Sequence, residues 1–132
     1  KEGDLSSPKG KFKLGNLYYR SDRVKKPKTK LNCIKIHKNM GWCNDSKSKK
    51  YNNRININCN FTHEKLFRRD NKYDYLIVIE YNYKKVKKNK GSAIFLHLTK
   101  DYKKTEGCVA VSKKDFLILS KLINKNTKIF LN

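Results

Sequence analysis

The stretch that most constrains the fold is YDYLIVIEYN, residues 73–82. Its apolar centre is nearly continuous rather than alternating, as a strand covered on both faces requires. It is therefore expected to be a central strand. A second stretch, SAIFLHLT at residues 92–99, alternates. Ile94, Leu96 and Leu98 would share one face, with Ala93, Phe95 and His97 on the other. Two such strands predict the middle of a sheet around which the remaining chain must be built.

The rest of the chain supplies weaker elements. Gly3-Asp4, Ser7-Pro8 and Gly10 mark bends. Phe12 and Leu14 then alternate with lysines to open a strand reaching Arg20, and residues 33–37 alternate like a half-buried strand. Residues 39–53, NMGWCNDSKSKKYNN, read as a long polar loop holding the only tryptophan. Thr62 is a suitable N-cap for a short helix over residues 63–69, with Glu64 in its first turn and Leu66 and Phe67 inward. Near the end, Ser112 caps a helix, Asp115 forms a box-like pair with it, and Val111 can staple onto Phe116. Phe116, Leu119 and Ile123 give that helix an apolar stripe, and residues 128–131 form a closing strand. These elements predict one strand-rich α+β domain over residues 1–132, a mixed sheet or sandwich with two peripheral helices.

Charge narrows the choice of function less than its size suggests. The formal net charge is +22, from 33 Lys+Arg against 11 Asp+Glu. Such an excess suits a polyanion partner or an anionic surface. The lysines are spread along the whole chain, however, and no stacking-aromatic or helix-turn-helix motif accompanies them, so nucleic acid is not the expected partner. No segment approaches the roughly eighteen apolar residues of a membrane span. The chain begins at Lys1, which reads as a processed or trimmed form, so the lack of a signal-peptide core says nothing about export. Four cysteines, at 33, 43, 59 and 108, fit no dense disulfide framework.

Chemistry concentrates in GSAIFLHLTKDYKKTEGCVAV, residues 91–111. His97 sits near the end of a strand, and Cys108 follows after ten intervening residues, before the last helix. A thiol is only slightly ionised at neutral pH and needs a neighbouring base or a lowered pKa to act as a nucleophile. His97 can supply either, as general base or as the imidazolium of an ion pair. Gly107 allows close backbone approach, and the amides of Gly107, Cys108 and Val109 could hold an oxyanion. The bland alternative is a buried cysteine and an unrelated strand histidine. Zinc is the other class to weigh: Cys33-x3-His37, Cys43 and Cys59-x3-His63 offer five ligands, but the pairs lack the usual close Cys spacing. No metal and no cofactor is expected. Cys33 and Cys59 read as small core residues, and His37 and His63 as surface residues.

The motif GSAIFLHL…TEGCVAV resembles the L,D-transpeptidase catalytic domain family, of the YkuD type, in its short-loop branch. His97 matches the family's upstream histidine, and Thr105, Gly107 and Cys108 match the Thr, Gly and Cys of its Ser/Thr-His-Gly-Cys motif. Glu2-Gly3-Asp4 with residues 7–12, SPKGKF, is similar to the family's opening strand. Tyr18-Tyr19-Arg20, residues 41–45, residues 51–54 and residues 63–67 resemble further segments of the branch, so the likeness covers nearly the whole chain. The branch carries a strand or so ahead of the Glu2 position, which implies that an N-terminal edge strand is missing here. There are departures. The family's histidine two places before the cysteine is Glu106, the arginine after Gly-Cys-Ile/Val is Ala110, and the loop between His97 and Cys108 is short.

The resemblance implies a YkuD-like fold and an acyl transfer on peptidoglycan stem peptides. Cys108 would be the nucleophile and His97 its base, oriented by a backbone carbonyl since no third acid is evident. A D-amino acid would leave from a thioester acyl-enzyme, and an amine would resolve it. Trp42, Tyr51, Asn52 and Arg54 are expected on a substrate-facing loop, Arg54 toward a stem carboxylate, with Glu106 orienting an incoming amine. An exported, periplasmic or envelope-peripheral location follows from such a substrate. Two alternatives stand beside this reading: an L,D-carboxypeptidase or peptidoglycan amidase with the same Cys-His site and water as acceptor, and a non-enzymatic basic binding module.

Overall fold

The computed structural model describes residues 9–58, 61–82, 86–87, 91–99 and 108–131. The apolar run at its centre forms β6 (Tyr75–Ile79), every residue of which is buried. On one side lies the long β1 (Gly10–Tyr19), antiparallel to it with Tyr18 opposite Leu76, and on the other lies β7 (Phe95–Leu98), also antiparallel, with Leu76 opposite His97. Two further strands extend the sheet in parallel: β2 (Cys33–Lys35) beside β1, and β8 (Val109–Val111) beside β7. The first half of β1 turns away at a register shift between Leu14 and Leu17 and pairs instead with β9 (Lys128–Leu131). The closing strand thus forms where expected.

A double-faced strand needs cover on both sides, and two apolar clusters provide it. Leu14, Leu17, Tyr19, Tyr75, Ile77, Ile79, Ile94, Leu96 and Leu98 face α1 (Lys113–Leu122) through Phe116. The Phe116 ring stacks on Tyr75 with centroids 5.4 Å apart. The opposite face carries Tyr18, Leu76, Val78, Ala93 and Phe95, packed on Ile36, Met40, Trp42, Leu66 and Tyr73. The alternation expected of residues 92–99 is thereby observed: Ile94, Leu96 and Leu98 enter the first cluster, Ala93 and Phe95 the second. Helix α1 begins as its sequence indicates, with the Asp115 amide donating to Ser112 Oγ at 3.1 Å.

The second cover is a small sheet, and here the sequence expectations need correcting. Residues 39–53 are not all loop: β3 (Met40–Cys43) lies between antiparallel β4 (Arg54–Asn56) and β5 (His63–Lys65). Gly41 makes this possible, because a Cβ there would lie 2.7 Å from Ile57 Cγ2 and 3.2 Å from the Glu64 carbonyl oxygen. The helix expected over residues 63–69 does not form; that segment is β5 and a turn. Seven residues are too few to hold a helix without tertiary help, and the surroundings favour an extended path. Residues 63–65 are instead drawn into the sheet opposite residues 41–43 of β3, and the Leu66 amide donates to Met40 O at 3.1 Å. Arg20 and Arg23 hold the turn that follows, donating to Arg68 O at 2.6 Å and to Arg69 O and Asp70 O at 2.8 and 2.7 Å. Arg20 itself is buried, bonded to Asp22 and lying 3.5 Å over the Phe67 ring. The described residues therefore contain one α-helix rather than the two peripheral helices expected, within a strand-rich α+β architecture of a mixed sheet and a second sheet.

Candidate active site

His97 belongs to β7, and its side chain is 2 % exposed. Its Nδ1 lies 2.9 Å from the carbonyl oxygen of Leu98. A carbonyl can only accept, so the proton resides on Nδ1 and the lone pair on Nε2. Nε2 is buried and has no hydrogen-bond partner among the described residues. The Tyr73 ring meets the imidazole edge-on, with centroids 5.6 Å apart. Burial pushes the His97 pKa down to about 4, and the Leu98 bond and Asp70 only partly oppose it, while Lys72 and Arg68 add to the lowering. The ring is neutral at neutral pH and presents a buried base nitrogen. The backbone carbonyl expected to orient it is that of Leu98.

Cys108 directly precedes β8. In the parallel β7–β8 pairing His97 is opposite Ala110 and Leu96 opposite Val109. Side chains alternate along a strand, so Cys108 shares the Ala110 side, which is the His97 side. It packs accordingly against the second cluster, with Tyr73, Ala93 and Phe95. The thiol donates to the carbonyl oxygen of Ala93 at 3.2 Å. Cys108 also lines a cleft with Asn44, Glu64, Lys72, Tyr73, Ser92 and Ala93. Here the Tyr73 hydroxyl donates to Glu64 Oε1, and Lys72 Nζ lies 3.9 Å from the same oxygen. Burial first, then the nearby Glu64 and Cys108, push the Tyr73 pKa well above its ordinary value. Tyr73 is thus a neutral phenol whose ring supports His97 and whose hydroxyl anchors a carboxylate in the cleft.

The other expected site residues are placed differently. Trp42, Tyr51 and Asn52 do not face outward: they are 2 %, 1 % and 3 % exposed. The indole needs an apolar seat for its rings and an acceptor for its N–H. It finds them against Phe95 and Tyr18, edge-on at 5.3 and 6.3 Å, and at Asn52 Oδ1, 2.8 Å away. The Tyr51 hydroxyl accepts from the Gly91 amide. Arg54 is exposed on β4, with its guanidinium 5.9 Å from the Tyr18 ring, and does not line the Cys108 cleft. Glu106 and Gly107, with Thr105, lie outside the described residues, as does Cys59; Val109 opens β8. Cys33, Cys43 and Cys108 are not joined in disulfides.

Sequence reasoning missed the cleft wall of Asn44, Glu64, Lys72, Tyr73, Ser92 and Ala93. Glu64 read as a helix-start acid, and the others carry no local signal, because their meeting depends on the small sheet docking over β7. Among the described residues no group of His, Cys, Asp and Glu is arranged to hold a metal ion, and no helix is long and apolar enough to cross a membrane. No curated protein and no solved structure gives a significant match to the chain. The family model for the L,D-transpeptidase catalytic domain, YkuD, matches residues 1–131. With that match running from end to end of a strand-rich α+β fold, the chain belongs to the YkuD L,D-transpeptidase catalytic domain family.

Proposed function

We propose that this transpeptidase-family enzyme acts on peptidoglycan stem peptides through a thioester formed at Cys108. The observation that carries the reading is the buried Nε2 of a neutral His97, on the same strand face as Cys108. A general base must be deprotonated at working pH and within reach of the proton it takes. His97 meets the first condition through burial. The second is part of the proposal: the Cys108 side chain turns from Ala93 O toward Nε2 when substrate binds.

In the proposed reaction His97 Nε2 takes the thiol proton. The Cys108 sulfur attacks the carbonyl carbon on the L-side of an L,D peptide bond, forming C–S and a tetrahedral oxyanion. Backbone amides of Gly107, Cys108 and Val109 are the proposed donors to that oxyanion. Collapse breaks the C–N bond, and the imidazolium returns its proton to the leaving D-amino acid nitrogen. An amine from a second stem or a free D-amino acid then attacks the thioester, gives a proton to Nε2, and displaces the sulfur, which is reprotonated. Water in place of the amine would give a carboxypeptidase by the same steps. Glu106 is retained as a candidate to orient the amine, and Arg54 as a candidate contact for a more distant part of the stem. An envelope location follows from the substrate, and the +22 charge favours residence beside an anionic wall.

The test is intact-protein mass after incubation with a carbapenem and, separately, with a disaccharide-tetrapeptide. Wild type should gain the mass of one acyl group with each reagent, and Cys108→Ala should gain none. His97→Gln should slow acylation by about a hundredfold or more. Equal adduct in wild type and Cys108→Ala would remove Cys108 from the chemistry. Product analysis then separates cross-linking or exchange from trimming.

A further inference from the structure

The residue whose carbonyl holds the Cys108 thiol is itself in an unusual conformation. Ala93 has φ 54°, in the left-handed region that a Cβ disfavours. Only two other non-glycine residues among those described share this feature, Asn52 at φ 59° and Asn82 at φ 51°. All three meet at one side chain. Asn52 Oδ1 accepts from the Ala93 amide at 3.1 Å and from Trp42 Nε1 at 2.8 Å. Its Nδ2 donates to Tyr81 O at 3.1 Å and Asn82 O at 2.6 Å. Both acceptor sites and both donor hydrogens of this buried amide are used, which fixes its orientation without ambiguity. Strained backbone persists only where its surroundings over-determine it, and it gathers at functional sites.

We propose that Asn52 is a positioning residue for Cys108, acting through Ala93. The relay runs from the Trp42 indole N–H to Asn52 Oδ1, from Oδ1 to the Ala93 N–H, and across the Ala93 peptide to the carbonyl that receives the Cys108 S–H. It sets the resting place of the sulfur at the edge of the cleft. Asn52 touches neither thiol nor cleft; its effect is on where Ala93 O points. This inference rests on Cys108 being the acyl-accepting nucleophile.

The test uses Asn52→Gly, because glycine keeps the positive φ of residue 52 while deleting the amide. The acylation rate at saturating carbapenem should fall by about tenfold or more, with the half-saturating concentration changed far less, as expected of a misplaced nucleophile. Adding Ala93→Gly to that variant lets residue 93 adopt its left-handed conformation without the Asn52 bond, and should recover at least about threefold of the rate. Asn52→Asp keeps both acceptor bonds and should acylate faster than Asn52→Gly even if it melts earlier. A role limited to stability would lower the melting temperature but give no rescue by Ala93→Gly. A rate for Asn52→Gly within about twofold of wild type, or a loss that Ala93→Gly leaves untouched, overturns the proposal. If Asn52→Gly does not fold, Trp42→Phe removes the indole donor while keeping an aromatic ring at the site; the same direction at smaller amplitude is expected, and an unchanged rate overturns the proposal. Iodoacetamide labelling of Cys108, resolved by peptide mass against Cys33, reads the thiol without any acyl transfer. If wild type forms no carbapenem adduct, the proposed function fails, yet Asn52→Gly must still change labelling of Cys108 relative to Cys33 by about threefold.

Discussion

His97 is where the chemistry and the stability of this protein meet. Its pKa is about 4 in the folded state, below the ordinary histidine value near 6.5. A lowered folded pKa means that the neutral ring stabilises the fold above the unfolded value and that this contribution is lost as pH falls through about 4. Thermal midpoints should therefore decline between these two pH values, and the decline should be shallower in His97→Gln. The acid limb of acylation, measured as rate over concentration for the free enzyme, should likewise be centred near pH 4 rather than at an ordinary histidine value. An acid limb near pH 6.5 would show that His97 works as an exposed imidazole. Trp42 makes the opposite case, a residue whose importance is structural. It is 2 % exposed, wedged edge-on against Phe95 and Tyr18, and its N–H is bonded. Trp42→Ala should cost about 3–5 kcal/mol in denaturant unfolding. His97 and Cys108 could be named as candidates from residue type and order. The burial of Trp42, Tyr51 and Asn52 was not, since a polar, turn-rich stretch gives no sign that its tryptophan will be covered.

At the scale of elements, the segments read correctly are those whose pattern needs no partner to be interpreted. The buried run of β6, the alternation leading into β7 and the capped start of α1 each state their own environment. Replacing Ser112 by Ala should cost about 1 kcal/mol in unfolding free energy, because the Asp115 amide loses its acceptor. The segment read wrongly, residues 63–69, has a reasonable helix start but is short, and its fate was decided by groups far away in sequence. Strand β3 pairs with residues 63–65 in extended form, and Arg20 and Arg23, more than forty residues earlier, bind the carbonyls of the turn that follows. The small sheet is equally non-local. Gly41→Ala should destabilise the fold by about 1–3 kcal/mol, since the new methyl meets Ile57 Cγ2 and the β5 backbone. An unchanged unfolding midpoint for Gly41→Ala would mean that β4 and β5 can spread apart without cost.

For the molecule as a whole, a charge of +22 on 132 residues sets a background of self-repulsion. Added salt screens such charges over about 10 Å at 0.1 M. The melting temperature should therefore rise between low and moderate sodium chloride; a flat or falling response would show that the lysines are already neutralised by local pairing. The few ion pairs among the described residues gather where the chain must be held, Arg20 to Asp22 and Arg23 to Asp74, beside the turn that carries Lys72 and Tyr73 into the cleft. The sequence by itself determined the central strands, the capped helix, the α+β class, and the thiol and imidazole that are candidates for the chemistry. Those features are written in periodicity and residue type, which depend only on neighbours along the chain. Tertiary structure alone decided that a second sheet covers β7, that His97 is buried and neutral, that Tyr73 and Glu64 wall the cleft, and that Asn52 holds Ala93 under the thiol. Each of these depends on groups from different elements packing together, and no local pattern encodes a meeting of that kind.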